Sequence, residues 1–227
     1  MWQSDRLAFR FENSLAFLDE PGEWFLDQSG TPTLYYKPLK REALDKSTVL
    51  TPRLETLVRF QGSAEERVHD IVLRGLHFTA TTWFLPNKEG FVSTYPGVDY
   101  RDNSGGWDTH LHSAAIHLEG TERITLERNV LHALGGMGIA LYDNTRKTTV
   151  DGNAILETAG IPIVVDGEGF VGKVELRGWA FWKMGSYVIP FPPAGKPNSE
   201  QDRITNNRIQ RFGLDLWSSG GIVAAYP

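Results

Sequence analysis

Cysteine is absent from the sequence, which excludes disulfide bonds and thiolate chemistry. No apolar stretch approaches the ~20 residues of a membrane-spanning helix, and no basic run is longer than the pair Lys40 and Arg41. The formal net charge is -5, so nucleic acid and anionic membranes are poor partner candidates. The first residues, from Met1 to Arg6, include no apolar segment of the kind found in signal peptides.

An eight-residue pattern does recur along the chain. It reads apolar, any, apolar, any, any, Asn, any, apolar, and it is clearest at 124–131 and 148–155. Variants of the pattern occupy 71–78, 174–181 and 202–209. The sixth positions are residues 76, 129, 153, 179 and 207, with steps of 53, 24, 26 and 28 between them. Alternation with a period of two predicts short β-strands, and the clustered steps predict a repeating fold.

The repeat predicts a solenoid of stacked coils in which neighbouring coils share one core. In this arrangement Asn129 and Asn153 occupy equivalent positions and form an inward ladder of side-chain amides. The doubled interval, 79–113, is either a degenerate coil or a long insertion. An ordinary β-sandwich with chance similarity is the alternative. A second strand is predicted after three of the units, at 139–141, 163–165 and 222–224.

Four segments resemble a known family. Residues 17–27 and 34–38 resemble the small sheet found in a large group of right-handed parallel β-helix proteins. Residues 71–78, followed by 82–86, are also similar to that group. The group is pectate-lyase-like in fold and includes glycoside hydrolases such as β-xylosidases, together with polysaccharide lyases. The resemblance is specific for architecture, and a fold alone does not imply an activity.

The resemblance implies an all-β chain with two parts. A small N-terminal antiparallel β-sheet subdomain and a connector are expected at 1–52, and a right-handed parallel β-helix at 53–227. Proteins of this group are longer than this chain, which ends at Pro227 inside a predicted strand. We therefore expect a fragment of a longer protein, truncated at the C-terminal end of the helix. Its open coil end is expected to support a homodimer.

The function that the resemblance implies is that of a glycoside hydrolase cleaving a polysaccharide or oligosaccharide. A hydrolase of this kind is expected to need no cofactor. One alternative is a polysaccharide lyase, for which calcium would be the cofactor. Another is a non-catalytic glycan-binding protein or an inactive truncated β-helix. The full-length parent is expected to be secreted or extracytoplasmic.

Acidic residues follow the second strand of two consecutive coils. Asp143 follows one such strand, and Asp166 and Glu168 follow the next. Stacked coils are ~4.8 Å apart, and the carboxyl groups of a retaining glycosidase are about 5–5.5 Å apart. We therefore expect Asp143 to form a catalytic pair with Asp166 or Glu168, in which crowding raises the pKa of the general acid. The alternative is that all three are ordinary bend residues.

Aromatic and polar residues in the loops are candidates for sugar binding, because long loops on a rigid scaffold tend to hold binding residues. Asp108, His110 and His112 share one face if their segment is extended, and metal binding, sugar binding and a structural role all remain open for them. His117 and His132 alternate with core positions and are expected to be structural. No metal site is predicted. The predicted substrate-binding residues are Trp83, Trp107, His110, His112, Asp215 and Trp217.

Overall fold

The computed structural model describes residues 12–84, 93–95, 98–103, 106–165, 172–174, 199–216 and 219–224. For the strands between 93 and 111 and at 172–174, the backbone alone is described. The chain divides into two compact units, Met1–Leu50 and Thr51–Pro227. Within the described ranges, no helix has the length and apolar character needed to cross a membrane.

The first unit contains a small antiparallel sheet, as the sequence predicted. Its strands are β1 (Trp24–Asp27) and β2 (Thr33–Tyr36). Short 3-10 helices lie at Leu15–Phe17 and Leu44–Lys46. The Asp27 carboxylate accepts a hydrogen bond from the Ser29 N–H (2.9 Å), which tightens the turn between the two strands.

The second unit contains four sheets of parallel strands and one antiparallel sheet. Sheet I consists of β3 (Val58–Gln61), β10 (Ala114–Glu119), β14 (Met137–Leu141), β18 (Ile163–Val165) and β23 (Ile222–Ala224). Sheet II consists of β4 (Val68–His69), β11 (Thr121–Glu122), β15 (Thr145–Arg146) and β20 (Ser199–Glu200). Sheet III consists of β5 (Val72–Arg74), β12 (Thr125–Glu127), β16 (Thr149–Asp151) and β21 (Arg203–Thr205).

The remaining strands complete the second unit. Sheet IV consists of β6 (His77–Thr81), β13 (Val130–Leu134), β17 (Ala154–Thr158) and β22 (Arg208–Phe212). The antiparallel sheet consists of β7 (Ser93–Tyr95), β8 (Val98–Asn103), β9 (Gly106–Leu111) and β19 (Gly172–Val174).

Each turn of the chain passes once through sheets I, II, III and IV, and we call such a turn a rung. Strands β3 to β6 form the first rung, β10 to β13 the second and β14 to β17 the third. Strand β18 with β20 to β22 forms the fourth, and β23 begins a fifth. Equivalent strands of consecutive rungs pair in parallel, so that Leu126 lies between Leu73 and Val150. The fold is a parallel β-helix.

The core lies inside the rungs, where apolar side chains from sheets I, III and IV meet. Ile116 and Leu118 of sheet I pack with Leu126 of sheet III and Leu131 of sheet IV, and all four are fully buried. Burying one such side chain contributes about 1.5–3 kcal/mol. Every second residue of each strand therefore faces this core, which explains the alternation in the sequence.

A ladder of asparagine side chains fills the corner between sheets III and IV. The Asn129 Nδ2 donates to the Asn153 Oδ1 (3.0 Å), and the Asn153 Nδ2 donates to the Asn207 Oδ1 (2.9 Å). These two oxygens also accept the backbone N–H of the asparagine one rung earlier, at 3.0 and 2.9 Å. The predicted contact between Asn129 and Asn153 is confirmed, and the β-sandwich alternative is wrong.

The rung predicted at 174–181 is wrong. Strand β17 pairs directly with β22, with Ile155 opposite Ile209, so no rung separates them. Strand β6 likewise pairs directly with β13, with Phe78 opposite Leu131, so 79–113 is an insertion and not a degenerate coil. The physical reason is that an alternating pattern specifies a strand but does not specify its partner.

Candidate functional site

The outer face of sheet I carries a group of polar side chains on its first two rungs. In β10, Ile116 and Leu118 are fully buried in the core. Because successive side chains of a strand point to opposite faces, His117 and Glu119 face outward. The parallel register places Arg59 of the first rung directly beside His117.

His117 contacts a carboxylate and an aromatic ring. Its Nε2 lies 3.4 Å from the Glu119 Oε2, and its ring meets the Tyr142 ring edge-on with centroids 5.1 Å apart. Burial lowers the pKa of His117, the Arg59 guanidinium lowers it further, and Glu119 acts in the opposite direction. The side chains are 14% exposed for His117 and 27% for Glu119. A mostly neutral imidazole beside a half-buried carboxylate is suited to proton exchange with a bound molecule.

Asp143 lies one rung further on, at the corner where the chain leaves sheet I for sheet II. Its half-buried carboxylate accepts a hydrogen bond from the Asn144 Nδ2 (2.9 Å). Its carbonyl oxygen accepts the Gly120 N–H (2.8 Å). The Arg67 guanidinium of the first rung donates to the Asn144 carbonyl oxygen of the third rung, and this hydrogen bond crosses the corner of the second rung. The bend that presents Asp143 is therefore held from two earlier rungs.

Glu119 and Asp143 lie on adjoining rungs, one residue apart in register, because Gly120 bonds to Asp143. With rungs ~4.8 Å apart and a rise of ~3.3 Å per residue, their Cα atoms are about 6 Å apart. The end of sheet I thus carries an outward-facing imidazole and carboxylate, a phenol and, at the adjoining corner, a second half-buried carboxylate, groups that are capable of general acid–base chemistry.

His112 lies at the opposite end of sheet I, just before β10, and is only 3% exposed. The Trp83 ring packs against it, with centroids 4.7 Å apart and planes at 58°. Neither ring nitrogen of His112 has a hydrogen-bond partner in the part of the chain that is described, and the same holds for the Ser113 Oγ. Burial lowers the pKa of His112 to about 4, so the ring is neutral near pH 7. Buried polar atoms without partners are typical of sites that take a water or a ligand hydroxyl.

The other predicted site residues are placed only in part. Asp215 is exposed, and its N–H donates to the Ala159 carbonyl oxygen (3.3 Å) at the corner between sheets IV and I. Among residues whose side chains are described, no three His, Asp or Glu are grouped to hold a metal ion. Trp107 and His110 lie in β9, where only the backbone is described. Asp166, Glu168 and Trp217 lie outside the described residues.

Sequence reasoning missed Glu119 and assigned a structural role to His117. Two signals could have found them together. The run from Ile116 to Glu119 alternates apolar and polar residues, which places both polar side chains on one face. The step from Glu119 to Asp143 is 24 residues, the same as the step from Asn129 to Asn153, so both pairs lie on adjoining rungs.

Comparison with known proteins identifies the fold. The structure is similar to a solved structure named "Glycoside hydrolase", with a TM-score of 0.80 and 22% sequence identity. The likeness covers 94% of this chain and 37% of that one, so this chain spans just over a third of that protein's length. At this identity the likeness establishes a shared fold and nothing finer. The sequence matches no protein-family model and no curated protein.

Proposed function

We propose that this chain is a carbohydrate-active enzyme, a glycoside hydrolase that acts on a polysaccharide or oligosaccharide. The observation that supports it most is the position of two half-buried carboxylates, Glu119 and Asp143, on adjoining rungs at one end of sheet I. Likeness to a protein named "Glycoside hydrolase" over 94% of the chain supports the same reading. Hydrolysis by a carboxylate pair needs no cofactor.

In this proposal Asp143 is one member of the pair, acting as nucleophile or as general base. The general acid is either Asp166 or Glu168, the partners that the sequence predicts, or Glu119 of the adjoining rung. His117 then orients Glu119, since the two side chains are 3.4 Å apart.

The proposal assigns substrate binding to residues around sheet I. Trp83, His112 and Asp215 form the described part of this set. Trp83 offers a ring face for stacking, and the ring nitrogens of His112, which have no partner among the described residues, can hydrogen-bond a sugar hydroxyl. A polymeric glycan substrate fits an extracytoplasmic location of the whole protein. The residues proposed to contact sugar are Trp83, Trp107, His110, His112, Asp215 and Trp217.

The decisive experiment screens the purified chain against nitrophenyl glycosides and polymeric glycans. On any substrate found, Asp143→Asn is expected to lower kcat at least about 10³-fold, because the variant lacks the charged oxygen needed for catalysis. Glu119→Gln, Asp166→Asn and Glu168→Gln then identify the partner carboxylate. Asp70→Asn, which removes an exposed carboxylate paired with Arg123, is the matched control and leaves turnover unchanged. Full activity of Asp143→Asn would exclude the assignment.

The same screen separates the two alternatives. A lyase would release unsaturated products that absorb in the ultraviolet and would respond to calcium. A lyase of this fold would use an arginine or lysine as its base. Two candidates, Arg146 and Lys147, are already paired, with Glu200 (2.8 Å) and Glu122 (3.3 Å) respectively. A non-catalytic protein would retain glycans without releasing any product.

A further inference from the structure

Exposure falls steeply along the outer face of sheet I, from the first rung to the fourth. Arg59, on the first rung, is exposed. On the second rung, His117 and Glu119 are partly exposed. On the third and fourth rungs, Tyr142 and Val164 are each only 2% exposed, although both face away from the core. The outer face is therefore open on the first rung and covered on the third and fourth, and Val223 of the fifth rung is half-buried.

The topology indicates what covers it. Strand β9 ends three residues before β10 begins, at the start of sheet I, and β19 begins seven residues after β18 ends, at the finish of sheet I. These two strands nevertheless pair, with Thr109 opposite Gly172 and Trp107 opposite Val174. Strand β9 leads into one end of sheet I and β19 follows the other end, so the two can pair only if the chain crosses a face of that sheet. The inner face is already filled by the core, which leaves the outer face.

The lengths of the connections agree with this path. At ~3.3 Å per residue, the five steps from Thr109 to Ala114 reach about 17 Å, and the seven steps from Val165 to Gly172 reach about 23 Å. Four residues along a strand and two rungs separate Ala114 from Val165, which is about 16 Å. The two connections are long enough to arch over sheet I, with the paired strands above it.

We infer that the antiparallel sheet closes the outer face of sheet I over the third and fourth rungs, and that the site opens only towards the first rung. A glycan chain lying along the β-helix would have to cross the closed part, so only a chain end can enter. This inference rests on the proposed function for its chemical meaning. The enzyme then removes sugars from the ends of chains and does not cut within a polymer.

The enclosure can be tested without any substrate, because the chain has no cysteine and each introduced thiol is unique. Gln61→Cys places a thiol on the exposed first rung, and Ala140→Cys and Val164→Cys place one on the buried third and fourth rungs. Labelling of the buried thiols requires local opening and is expected to be at least about 100-fold slower than labelling of Gln61→Cys. Cysteine is smaller than valine, so Val164→Cys can report on burial even if the larger side chain of Ala140→Cys prevents that variant from folding.

A second variant tests whether the antiparallel sheet is what covers the outer face of sheet I. Lys173→Pro removes one N–H from β19 opposite Asp108, and it is expected to speed labelling of the Val164→Cys thiol at least about 10-fold. Lys173→Ala keeps the backbone donor and is expected to leave the labelling rate unchanged. Equal labelling rates at the first and fourth rungs, or no effect of Lys173→Pro, would overturn the enclosure by this sheet.

The end-acting mode is read from the products of whichever glycan the screen identifies. Monosaccharide or disaccharide should accumulate while the viscosity of the polymer stays constant. One oligosaccharide is blocked at its non-reducing end, and another is chemically reduced at its reducing end. Because a chain end must enter the pocket, one of these two modified substrates should be turned over more than about 10-fold more slowly than the unmodified one. An early fall in viscosity would overturn the end-acting mode and leave hydrolysis intact. Failure to cleave any glycan would contradict the proposed function, while the labelling rates still decide the enclosure.

Discussion

Two corners of the β-helix are built on opposite principles. Between sheets III and IV the same residue recurs, and Asn129, Asn153 and Asn207 satisfy one another in a continuous ladder. Between sheets I and II the residue changes from rung to rung, from glycine at 120 to Asp143. The first corner stacks identical neutral groups and buries them. The second presents a half-buried carboxylate whose bend is held in place by other rungs.

The contrast separates a structural corner from the corner at which we propose the chemistry. Stacked amides are self-complementary, so each new rung satisfies the polar groups of the rung before it, and nothing is left over for a ligand. The corner of sheets I and II does the reverse, since its residue does not repeat and Asp143 adds a charge that no identical neighbour can satisfy. We therefore place stability at the corner of sheets III and IV, and chemistry at the corner of sheets I and II.

The largest effect is expected from breaking the ladder. Asn153→Ala removes the acceptor of the buried Asn129 N–H and one of the two acceptors of its side-chain amide, and it is expected to lower the free energy of unfolding by about 4 kcal/mol. Asn207→Ala removes the same interactions one rung later, where the side chain is only half-buried and water can replace them, and about 1.5 kcal/mol is expected. Urea unfolding measures both. Equal losses for the two variants would contradict the ladder as a buried structural element.

The second effect compares glycines at the two corners. Gly120 has φ +56, and a Cβ there would lie 2.5 Å from the Gly62 carbonyl carbon. Gly75, at the corner of sheets III and IV, has φ +67 but has open space around it. Gly120→Ala is expected to cost at least about 3 kcal/mol through strain and contact, whereas Gly75→Ala costs only about 1 kcal/mol through backbone strain. A smaller cost at Gly120 would show that this corner is not tightly constrained.

The sequence alone predicts the structural corner well and the functional corner poorly. The ladder was predictable because stacked asparagines need the same residue at the same position in each coil, and such periodicity is visible without coordinates. The second strands of the coils, at 139–141, 163–165 and 222–224, were predicted for the same reason and are confirmed as β14, β18 and β23. Segment 174–181 carries the same pattern, yet pairing between β17 and β22 bypasses it.

The candidate site was harder to predict because an outward position has no repeating signature. His117 and Glu119 alternate with core residues whether the outer face meets solvent or a pocket, so the pattern alone favoured a structural role. The significance of His117 depends on partners 58 and 25 residues away, Arg59 and Tyr142, which the rung register supplies. Enclosure of that face depends on pairing between two insertions, and insertions do not follow the repeat.

The third effect concerns His112, which couples stability to pH at the start of sheet I. Its folded pKa of about 4 lies below the ordinary value of 6.5, so the unfolded chain binds the proton more readily between these values. The free energy of unfolding should therefore fall by up to about 3 kcal/mol as the pH drops from 6.5 to 4. His112→Phe keeps the ring and removes this loss. The difference between the two proteins, measured by urea unfolding across that range, isolates His112; identical pH curves would contradict its burial as a neutral group.

The smallest effect concerns Asp202, whose carboxylate accepts a backbone N–H at a corner, the role that an asparagine amide has in the ladder. Asp202 Oδ1 accepts the Thr148 N–H (2.7 Å), just as the Asn207 Oδ1 accepts the Asn153 N–H one corner away. Burial raises the pKa of Asp202, so folding favours its protonated form, and stability declines as the pH rises through the folded pKa. Asp202→Asn keeps the acceptor without a charge, and it is expected to be neutral or to stabilise by less than about 0.5 kcal/mol at pH 7.

Asp202→Ala is the comparison variant, because it removes the hydrogen-bond acceptor as well as the charge and leaves the Thr148 N–H unsatisfied. Its cost is expected to be about 1–2 kcal/mol at pH 7. If Asp202→Asn destabilised the protein as much as Asp202→Ala, the charge itself would be stabilising. The corner of sheets II and III would then differ in kind from the asparagine ladder, and neutral stacking would not be the rule that holds successive rungs together.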